Sequence, residues 1–368
     1  MITTTKKINS VFKPYLDVKN RYKGGKSIQA KEPGQKVYKL SSNEHPFGTS
    51  PKVIEAIKRA SQNFHIYPEV NDARLRDALV KDFDGILAKD QFLAANSGSE
   101  IIDHTFRAFL SPGDEVIIST PCFVPYGTFS RWLGATVIDI PLKGDHYELD
   151  VDSILGAITE RTRIITVTSP NNPTGTYVPK AVFESLLESV PDDVLIIYDE
   201  VYRHFADAED YTTGLPYVLA GKNVLAVNSF SKTYGLASMR VGYAYTTEEI
   251  ANYIRQIIKP FNIPSLAMEA AIAALEDQEF VQQTRNLILQ ERRFLQHAFT
   301  DLGLNFTPSQ ANFFLINPPI PSADFVDFLI QHGIMTRPVD NFGAAGKVRI
   351  SIGTHEANEA LITALRQL

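Results

Sequence analysis

The chain has one cysteine and no long uninterrupted apolar run. Cys122 is the single cysteine among 368 residues, so no disulfide can form within the chain. This fits a reducing compartment, and we expect a cytoplasmic protein. The N-terminal stretch MITTTKKINSVFKPYL lacks the apolar core of a signal peptide, and no later stretch is apolar for long enough to span a bilayer. We therefore expect neither secretion nor membrane insertion.

The chain also lacks a block rich in lysine and arginine. It has 42 Asp and Glu residues against 36 Lys and Arg residues, and its formal net charge is -6. Because nucleic-acid-binding proteins usually present a basic face, we expect no nucleic-acid partner. The 8 histidines show no paired spacing of the kind that binds metal, so no metal site is expected.

The composition is nevertheless that of a globular protein with a sizeable core. Hydrophobic residues make up 44% of the chain and charged residues 21%. The length exceeds that of one ordinary core, which predicts a large and a smaller domain with a cleft between them. We expect an N-terminal arm over 1–45 that contributes to the small domain or to a dimer contact. The large domain should cover 46–260 and the small C-terminal domain 261–368.

Short β-branched runs alternate with helical patterns through the middle of the chain. The runs are FLAA at Phe92, VIIS at Val116, TVIDI at Thr136, RIITVTS at Arg163, VLIIY at Val194 and NVLAVN at Asn223. This alternation predicts an α/β fold in which helices sandwich a mostly parallel sheet. After about Phe261, a long helix, two strands and two more helices predict a smaller α+β domain.

Chemically capable side chains follow five of these predicted strands. In an open α/β sheet, ligands bind beyond the carboxyl ends of the strands, so the five segments should meet at one crevice. They are NSGS at Asn96, TPCF at Thr120, PNNPTG at Pro170, DEVY at Asp199 and SFSK at Ser229. They supply small phosphate-binding groups, an aromatic ring, an amide, a carboxylate and an amine. The set suits a phosphate-bearing pyridine that accepts electrons.

Each side chain has a task with such a ligand. Lys232 would form an imine with it, which requires a neutral amine, and desolvation beside cationic groups favours that state. Asp199 would keep the pyridine nitrogen protonated, so that the ring can accept electrons. Asn172 and Tyr202 can hydrogen-bond the ring hydroxyl, and Phe123 can stack on the ring face.

The phosphate of the ligand needs a dense set of hydrogen-bond donors. Ser97, Gly98 and Ser99 open a predicted helix, whose first amide groups and dipole favour an anion. Further hydroxyl groups and a guanidinium come from Ser229, Ser231 and Arg240.

Ordinary structural interpretations compete with these roles. A lone Ser-Lys pair is most often a solvated lysine, Asp199 could cap a helix, and the segment 171–175 is a common turn sequence. Phe123 could simply pack in the core. The fixed order of amide, carboxylate, lysine and arginine favours the functional interpretation.

Three runs carry a family resemblance: SPNNPTG at Ser169, YDEVY at Tyr198 and SFSKTYGLASMRVGY at Ser229. They resemble the fingerprint of fold-type I aminotransferases of class I and II, most closely the histidinol-phosphate aminotransferase branch. The likeness is collinear from LSSNEHPFGTSP to VRISIGTHEAN. It implies pyridoxal 5'-phosphate bound through Lys232, and it implies the roles given above for the other residues.

The resemblance also implies roles for three further residues. Tyr67 matches a tyrosine that reaches the cofactor phosphate of the neighbouring subunit, which implies a homodimer with shared active sites. Arg349 matches the arginine that binds the α-carboxylate of the amino donor. Arg337 matches an arginine near the distal phosphate of histidinol phosphate. Core packing is the alternative for Tyr67, and a surface ion pair is the alternative for each arginine.

The implied activity is transamination between a small amino donor and a keto acceptor. The resemblance favours histidinol phosphate and 2-oxoglutarate, which give imidazole acetol phosphate and glutamate. Departures from the family pattern at 43–46, 97–100 and 228–229 leave the cofactor residues in place, and related aromatic amino-acid aminotransferases share the same core. An aromatic aminotransferase, a decarboxylase of phosphorylated amino acids and a ligand-sensing module therefore stay open as alternatives.

Overall fold

The computed structural model describes residues 13–16 and 36–368, so most of the expected arm over 1–45 lies outside the described residues. The α-helices are α1 (Pro51–Ala60), α2 (Ala73–Asp82), α3 (Gly98–Phe109), α4 (Pro125–Trp132), α5 (Val151–Gly156), α6 (Lys180–Ser189), α7 (Leu215–Leu219), α8 (Glu248–Arg255), α9 (Ser265–Leu275), α10 (Gln278–Asp301), α11 (Ser322–Gln331) and α12 (His355–Leu365). The strands are β1 (Tyr38–Lys39), β2 (Phe92–Ala95), β3 (Glu115–Thr120), β4 (Thr136–Pro141), β5 (Thr162–Thr168), β6 (Leu195–Asp199), β7 (Val224–Ser229), β8 (Gly242–Tyr245), β9 (Asn305–Thr307), β10 (Phe313–Asn317), β11 (Ile334–Met335), β12 (Arg337–Pro338) and β13 (Val348–Ser351). No helix among these residues is both long and apolar enough to cross a membrane.

The central sheet has seven strands in the order β2-β8-β7-β6-β5-β3-β4. The pairs from β7 to β4 are parallel, and helices cover both faces, which confirms the predicted α/β fold. Successive side chains of a strand point to opposite faces of the sheet, so the residues of β6 alternate between two hydrophobic cores. Ile196 and Tyr198 enter one hydrophobic core, while Leu195 and Ile197 enter the other.

The strand β8 was not predicted from the sequence. It pairs antiparallel with β2 on one side and with β7 on the other, and it is the only exception to parallel pairing in this sheet. Its sequence GYAY has only four residues, and its glycine and alanine disfavour strands, so the strand signal is weak despite the two tyrosines. All four of its residues are buried.

Helix α9 packs against α1 and α2 beside the central sheet. It is rich in buried alanines, whose small side chains let neighbouring helices approach closely. The hydrophobic core that it joins also contains side chains of the central sheet. The expected boundary near Phe261 precedes this helix, and the division of the chain into domains stays a prediction.

A second, antiparallel sheet of four strands has the order β12-β13-β10-β9. β1 and β11 form a separate parallel pair. Apolar residues of α10, α11 and α12 join the second sheet in one core. Tyr202 and Phe205, which follow β6 of the central sheet, belong to this second core. The two parts of the fold therefore meet beside the end of β6.

Candidate active site

A cleft of about 360 Å³ lies where the parallel strands end. It is lined by all but one of the residues that the sequence predicts for the site: Ser97, Gly98, Ser99, Phe123, Asn172, Asp199, Tyr202, Ser229, Ser231, Lys232, Arg240, Arg337 and Arg349. The exception is Tyr67. The lining also includes residues that were not predicted, among them 41–44, Thr168 and Phe342. The convergence of strand ends thus brings the candidate residues into one space.

The N-terminus of α3 opens into the cleft. Ser97 has φ 105 and caps the helix, accepting a hydrogen bond from the Glu100 amide at 3.3 Å. A Cβ at Gly98 would lie 3.2 Å from the Asn228 carbonyl oxygen, and a Cβ at Gly242 would collide with the backbone of Ser97 and Gly98. The two glycines therefore let three strand ends approach closely enough to present the first amides of α3, which suit an anion.

Hydroxyl groups and a guanidinium from the segment after β7 line the same cleft. The Ser231 amide donates to Ser229 Oγ at 3.1 Å. Arg240 has the left-handed backbone angle φ 53, and its Nη1 donates to the Ala237 carbonyl at 2.8 Å and to Ser231 Oγ at 3.5 Å. This set of donors fits a phosphate group.

Asp199 ends β6 and is only 4% exposed. Its Oδ2 accepts a 2.5 Å hydrogen bond from the Tyr126 hydroxyl, and its Oδ1 accepts one from the Val201 amide at 3.2 Å. Burial raises the pKa of Asp199 to about 6, while both hydrogen bonds act to lower it. The Tyr126 oxygen also lies 3.1 Å from Thr168 Oγ1. Tyr126 was not singled out from the sequence, and a buried carboxylate at this place fits a protonated pyridine nitrogen.

Lys232 lies between Asn43 and Tyr202. Its Nζ donates to the Asn43 carbonyl at 3.3 Å and lies 5.5 Å from the centre of the Tyr202 ring. The side-chain amide of Asn43 donates to the Tyr202 hydroxyl at 3.1 Å. Asn43 was not predicted as a site residue; the family-like segment LSSNEHPFGTSP, which contains it, was the available signal for its place beside the lysine.

Arg337 and Arg349 are directly opposite each other on β12 and β13. Both are buried, with 6% and 5% exposure, so neither is a surface residue. Arg349 donates to Asn172 Oδ1 at 2.5 Å and to the Ser41 carbonyl at 2.9 Å. Both guanidinium groups lie over the ring of Phe342, at 5.8 Å for Arg337 and 5.6 Å for Arg349. Two cations are thus held side by side at one wall of the cleft.

Tyr67 lies outside the cleft and is 81% exposed, so it does not pack in the core. Its ring contacts that of Phe261 at 5.2 Å. Three neighbouring apolar residues, Phe64, Ile66 and Val70, are also exposed. Phe123, in contrast, lines the cleft, and its ring meets that of Tyr126 edge to face at 5.7 Å.

Known proteins resemble this chain over most of its length. A family model described as aminotransferase class I and II matches residues 35–365. A histidinol-phosphate aminotransferase of Akkermansia muciniphila is 39% identical over 94% of this chain and 95% of its own length. Another, of Moorella thermoacetica, is 36% identical over 94% of this chain and 90% of its own length.

Solved structures with the same fold agree with these matches. An aspartate aminotransferase of Thermus thermophilus with maleate has a TM-score of 0.78 and 28% identity, with 91% of each chain covered. A histidinol-phosphate aminotransferase of Sinorhizobium meliloti in complex with pyridoxal-5'-phosphate has a TM-score of 0.81 at 24% identity, again with 91% of each chain covered, and this shows likeness of fold alone. The chain belongs to the class I and II aminotransferases, and it is a pyridoxal-phosphate-dependent transferase of amino groups.

Proposed function

We propose that the protein transfers the amino group of histidinol phosphate to 2-oxoglutarate, giving imidazole acetol phosphate and glutamate. The observation that carries this proposal is the pair of buried guanidinium groups of Arg337 and Arg349 in one cleft with Lys232. A phosphate monoester has a charge of about -1.5 to -2 at neutral pH, whereas a carboxylate has a single charge. Two arginines match the phosphate better than one, and Arg349 also serves the carboxylate of glutamate.

The residues around the cofactor divide the chemical work. When bound, pyridoxal phosphate supplies an electron sink for the pair of electrons that is left when Cα loses its proton. Asp199 keeps a proton on the ring nitrogen, and Asn172 and Tyr202 hydrogen-bond the ring oxygen. Lys232 would hold the cofactor covalently, and its amine, once the amino donor has displaced it, would move the proton from Cα of the donor to the cofactor. Phe123 packs on the ring face.

The phosphate of the cofactor is held by the start of α3 and by the segment after β7. Its ligands in this proposal are the backbone amides and side chains of Ser97, Gly98, Ser99, Ser229, Ser231 and Arg240. A helix N-terminus and a guanidinium both favour a dianion. No part of this proposal needs a metal ion.

We further propose a homodimer with shared active sites, acting in the cytoplasm. Tyr67, its sequence neighbours Phe64, Ile66 and Val70, and Phe261, whose ring it contacts, are all exposed. We take them as one apolar patch, and such a patch is typical of a protein interface. In such a dimer the second subunit would cover this patch, and Tyr67 of the first subunit would reach the cofactor phosphate in the active site of the second. The lone cysteine, Cys122, is buried and free, which suits a reducing compartment.

A half-reaction screen tests the substrate. The holoenzyme is mixed with one amino compound at a time, and the loss of the cofactor's absorbance is followed. Histidinol phosphate and glutamate should react fast and phenylalanine slowly. A faster reaction with phenylalanine than with histidinol phosphate would favour an aromatic aminotransferase instead. Release of carbon dioxide from a phosphorylated amino acid would favour the decarboxylase, and DNA retained by the purified protein would favour a sensing module.

A further inference from the structure

We propose that Asn43 is a positioning residue, which directs the Tyr202 hydroxyl towards the cofactor and holds the Lys232 amine through its carbonyl oxygen. This inference rests on the roles proposed above for Tyr202 and Lys232. Asn43 lies in the loop between β1 and α1 and is 1% exposed. It is hydrogen-bonded to both of these residues at once.

Two hydrogen bonds to Ser351 fix the orientation of the Asn43 side chain. The Asn43 backbone amide donates to Ser351 Oγ at 2.8 Å, and Ser351 Oγ donates in turn to Asn43 Oδ1 at 2.7 Å. The oxygen of the Asn43 side chain is therefore engaged on the Ser351 side, and its NH₂ group faces Tyr202. With the flipped amide, Ser351 Oγ would accept from both the backbone amide and the side-chain NH₂ group of Asn43, and the hydroxyl hydrogen of Ser351, which is 2% exposed, would lose its acceptor.

The orientation of the Asn43 side-chain amide determines whether the Tyr202 hydroxyl can donate a hydrogen bond to the cofactor. Asn43 Nδ2 donates to the Tyr202 oxygen at 3.1 Å, so that oxygen acts as the acceptor in this bond. The single hydrogen of the Tyr202 hydroxyl is then left for another acceptor in the cleft. With the flipped amide, Tyr202 would donate its hydrogen to Asn43 and could not donate to the ring oxygen of the cofactor.

The backbone of Asn43 serves Lys232. Asn43 has φ 52, a left-handed conformation that asparagine tolerates better than most residues. Its carbonyl accepts from Lys232 Nζ and from Asn312 Nδ2, both at 3.3 Å. Glycine would allow the same backbone but has no amide for Tyr202, and a β-branched residue would be strained here. The position therefore requires both properties of asparagine.

The same loop is tied to the strand that carries the substrate arginine. Ser351 follows Arg349 by two residues in β13, and Arg349 itself donates to the Ser41 carbonyl at 2.9 Å. Asn43 thus links the strand of the substrate site with Tyr202 and Lys232.

The test is a pH titration of the bound cofactor's absorbance, without substrate. Asn43→Gly keeps the left-handed backbone and removes the amide, so the Tyr202 hydroxyl loses its fixed direction. Its hydrogen bond to the ring oxygen favours the deprotonated form of the attached cofactor, and the absorbance midpoint should therefore rise by about half to one pH unit. Ser351→Ala, which leaves Asn43 in place, should shift the midpoint in the same direction by less.

The control compares the effect of Asn43→Gly in the wild-type protein with its effect in a Tyr202→Phe protein, which lacks the hydroxyl. If Asn43 acts through the Tyr202 hydroxyl, Asn43→Gly should leave the midpoint unchanged in a Tyr202→Phe protein. The other charged side chains of the cleft stay the same in every variant: Glu44, Asp199, Arg240, Arg337 and Arg349. An equal shift in both backgrounds would overturn the proposal, as would a fall in turnover with an unmoved midpoint. Absence of any Lys232-dependent absorbance in the wild type would instead overturn the proposed function together with this inference.

Discussion

The hydroxyl of Tyr126 donates a 2.5 Å hydrogen bond to Oδ2 of Asp199, at the buried end of β6. Two opposing effects meet at this carboxyl group. Burial disfavours its charge and raises its pKa to about 6, whereas the bond from Tyr126 favours the charge. The hydrogen bond from Tyr126 therefore helps to keep Asp199 charged although it is buried. The balance of the two effects sets the pH range in which Asp199 can hold a proton on a pyridine nitrogen.

Cofactor affinity should fall as the pH drops below about 6. In the cofactor-free protein Asp199 has a raised pKa of about 6, so it takes up a proton in this range and loses the charge that would pair with the ring nitrogen. The measurement is the dissociation constant of pyridoxal phosphate by fluorescence titration from about pH 5 to about pH 8. The phosphate also titrates in this range, so Asp199→Asn is the control, and its curve should lack the contribution of the carboxyl group.

Tyr126→Phe sharpens the same prediction. Because the Tyr126 bond lowers the pKa of Asp199, its removal should move the onset of cofactor loss upwards by about half to one pH unit. Thr168→Val, which leaves the bond between Tyr126 and Asp199 intact, should shift it less. Identical pH curves for the wild type and Asp199→Asn would show that Asp199 does not face the cofactor.

Arg337→Ala should separate phosphorylated from unphosphorylated substrates. Loss of a charged hydrogen bond costs about 1.5–3 kcal/mol, so kcat/KM for histidinol phosphate should fall about 10- to 150-fold. The value for phenylalanine should change much less, because its carboxylate is assigned to Arg349. Arg337→Lys keeps the charge and should recover part of the loss. Equal losses for both substrates would count against histidinol phosphate.

Gly242→Ala should weaken both the fold and the cofactor site. The added methyl group would collide with the backbone of Ser97 and Gly98, where α3 begins, and overpacking of this kind costs about 1–3 kcal/mol. We expect a lower free energy of unfolding in denaturant and a larger dissociation constant for the cofactor. Gly156→Ala is the matched control, since a Cβ there meets nothing within 4 Å. A Gly242→Ala protein as stable as this control would contradict the close approach.

Mixed dimers test whether active sites are shared. Lys232→Ala subunits and Tyr67→Ala subunits should each be impaired alone. In a mixed dimer, the site with an intact Lys232 receives an intact Tyr67 from the other subunit, so one site in two is complete. Activity should therefore rise after the two variants are unfolded and refolded together. No gain on mixing, with dimers verified by light scattering, would contradict a shared site.

The sequence predicts the cleft well because strand ends converge in an α/β sheet. Asn172, Asp199 and Lys232 each lie in a short segment that follows a predicted strand. The sequence of each segment was enough to place its residue beyond a strand end, and the parallel sheet brings the three strand ends together. Tyr126 and Asn43 escaped prediction because their partners are distant in the chain. Tyr126 is 73 residues from Asp199, within a helix whose apolar residues signal only packing, and Asn43 is 308 residues from Ser351. Contacts of this range depend on the folded arrangement, and a family-like segment such as LSSNEHPFGTSP does not show which distant residue it meets.

The covalent role of Lys232 is tested most directly by the absorbance of the purified protein and of its Lys232→Ala variant. The wild type should show a cofactor band near the visible edge that shifts when histidinol phosphate is added, and it should form glutamate from 2-oxoglutarate. Lys232→Ala should lack that band and all turnover, while the protein stays folded by circular dichroism. An unchanged band, or transamination that persists in this variant, would contradict the account.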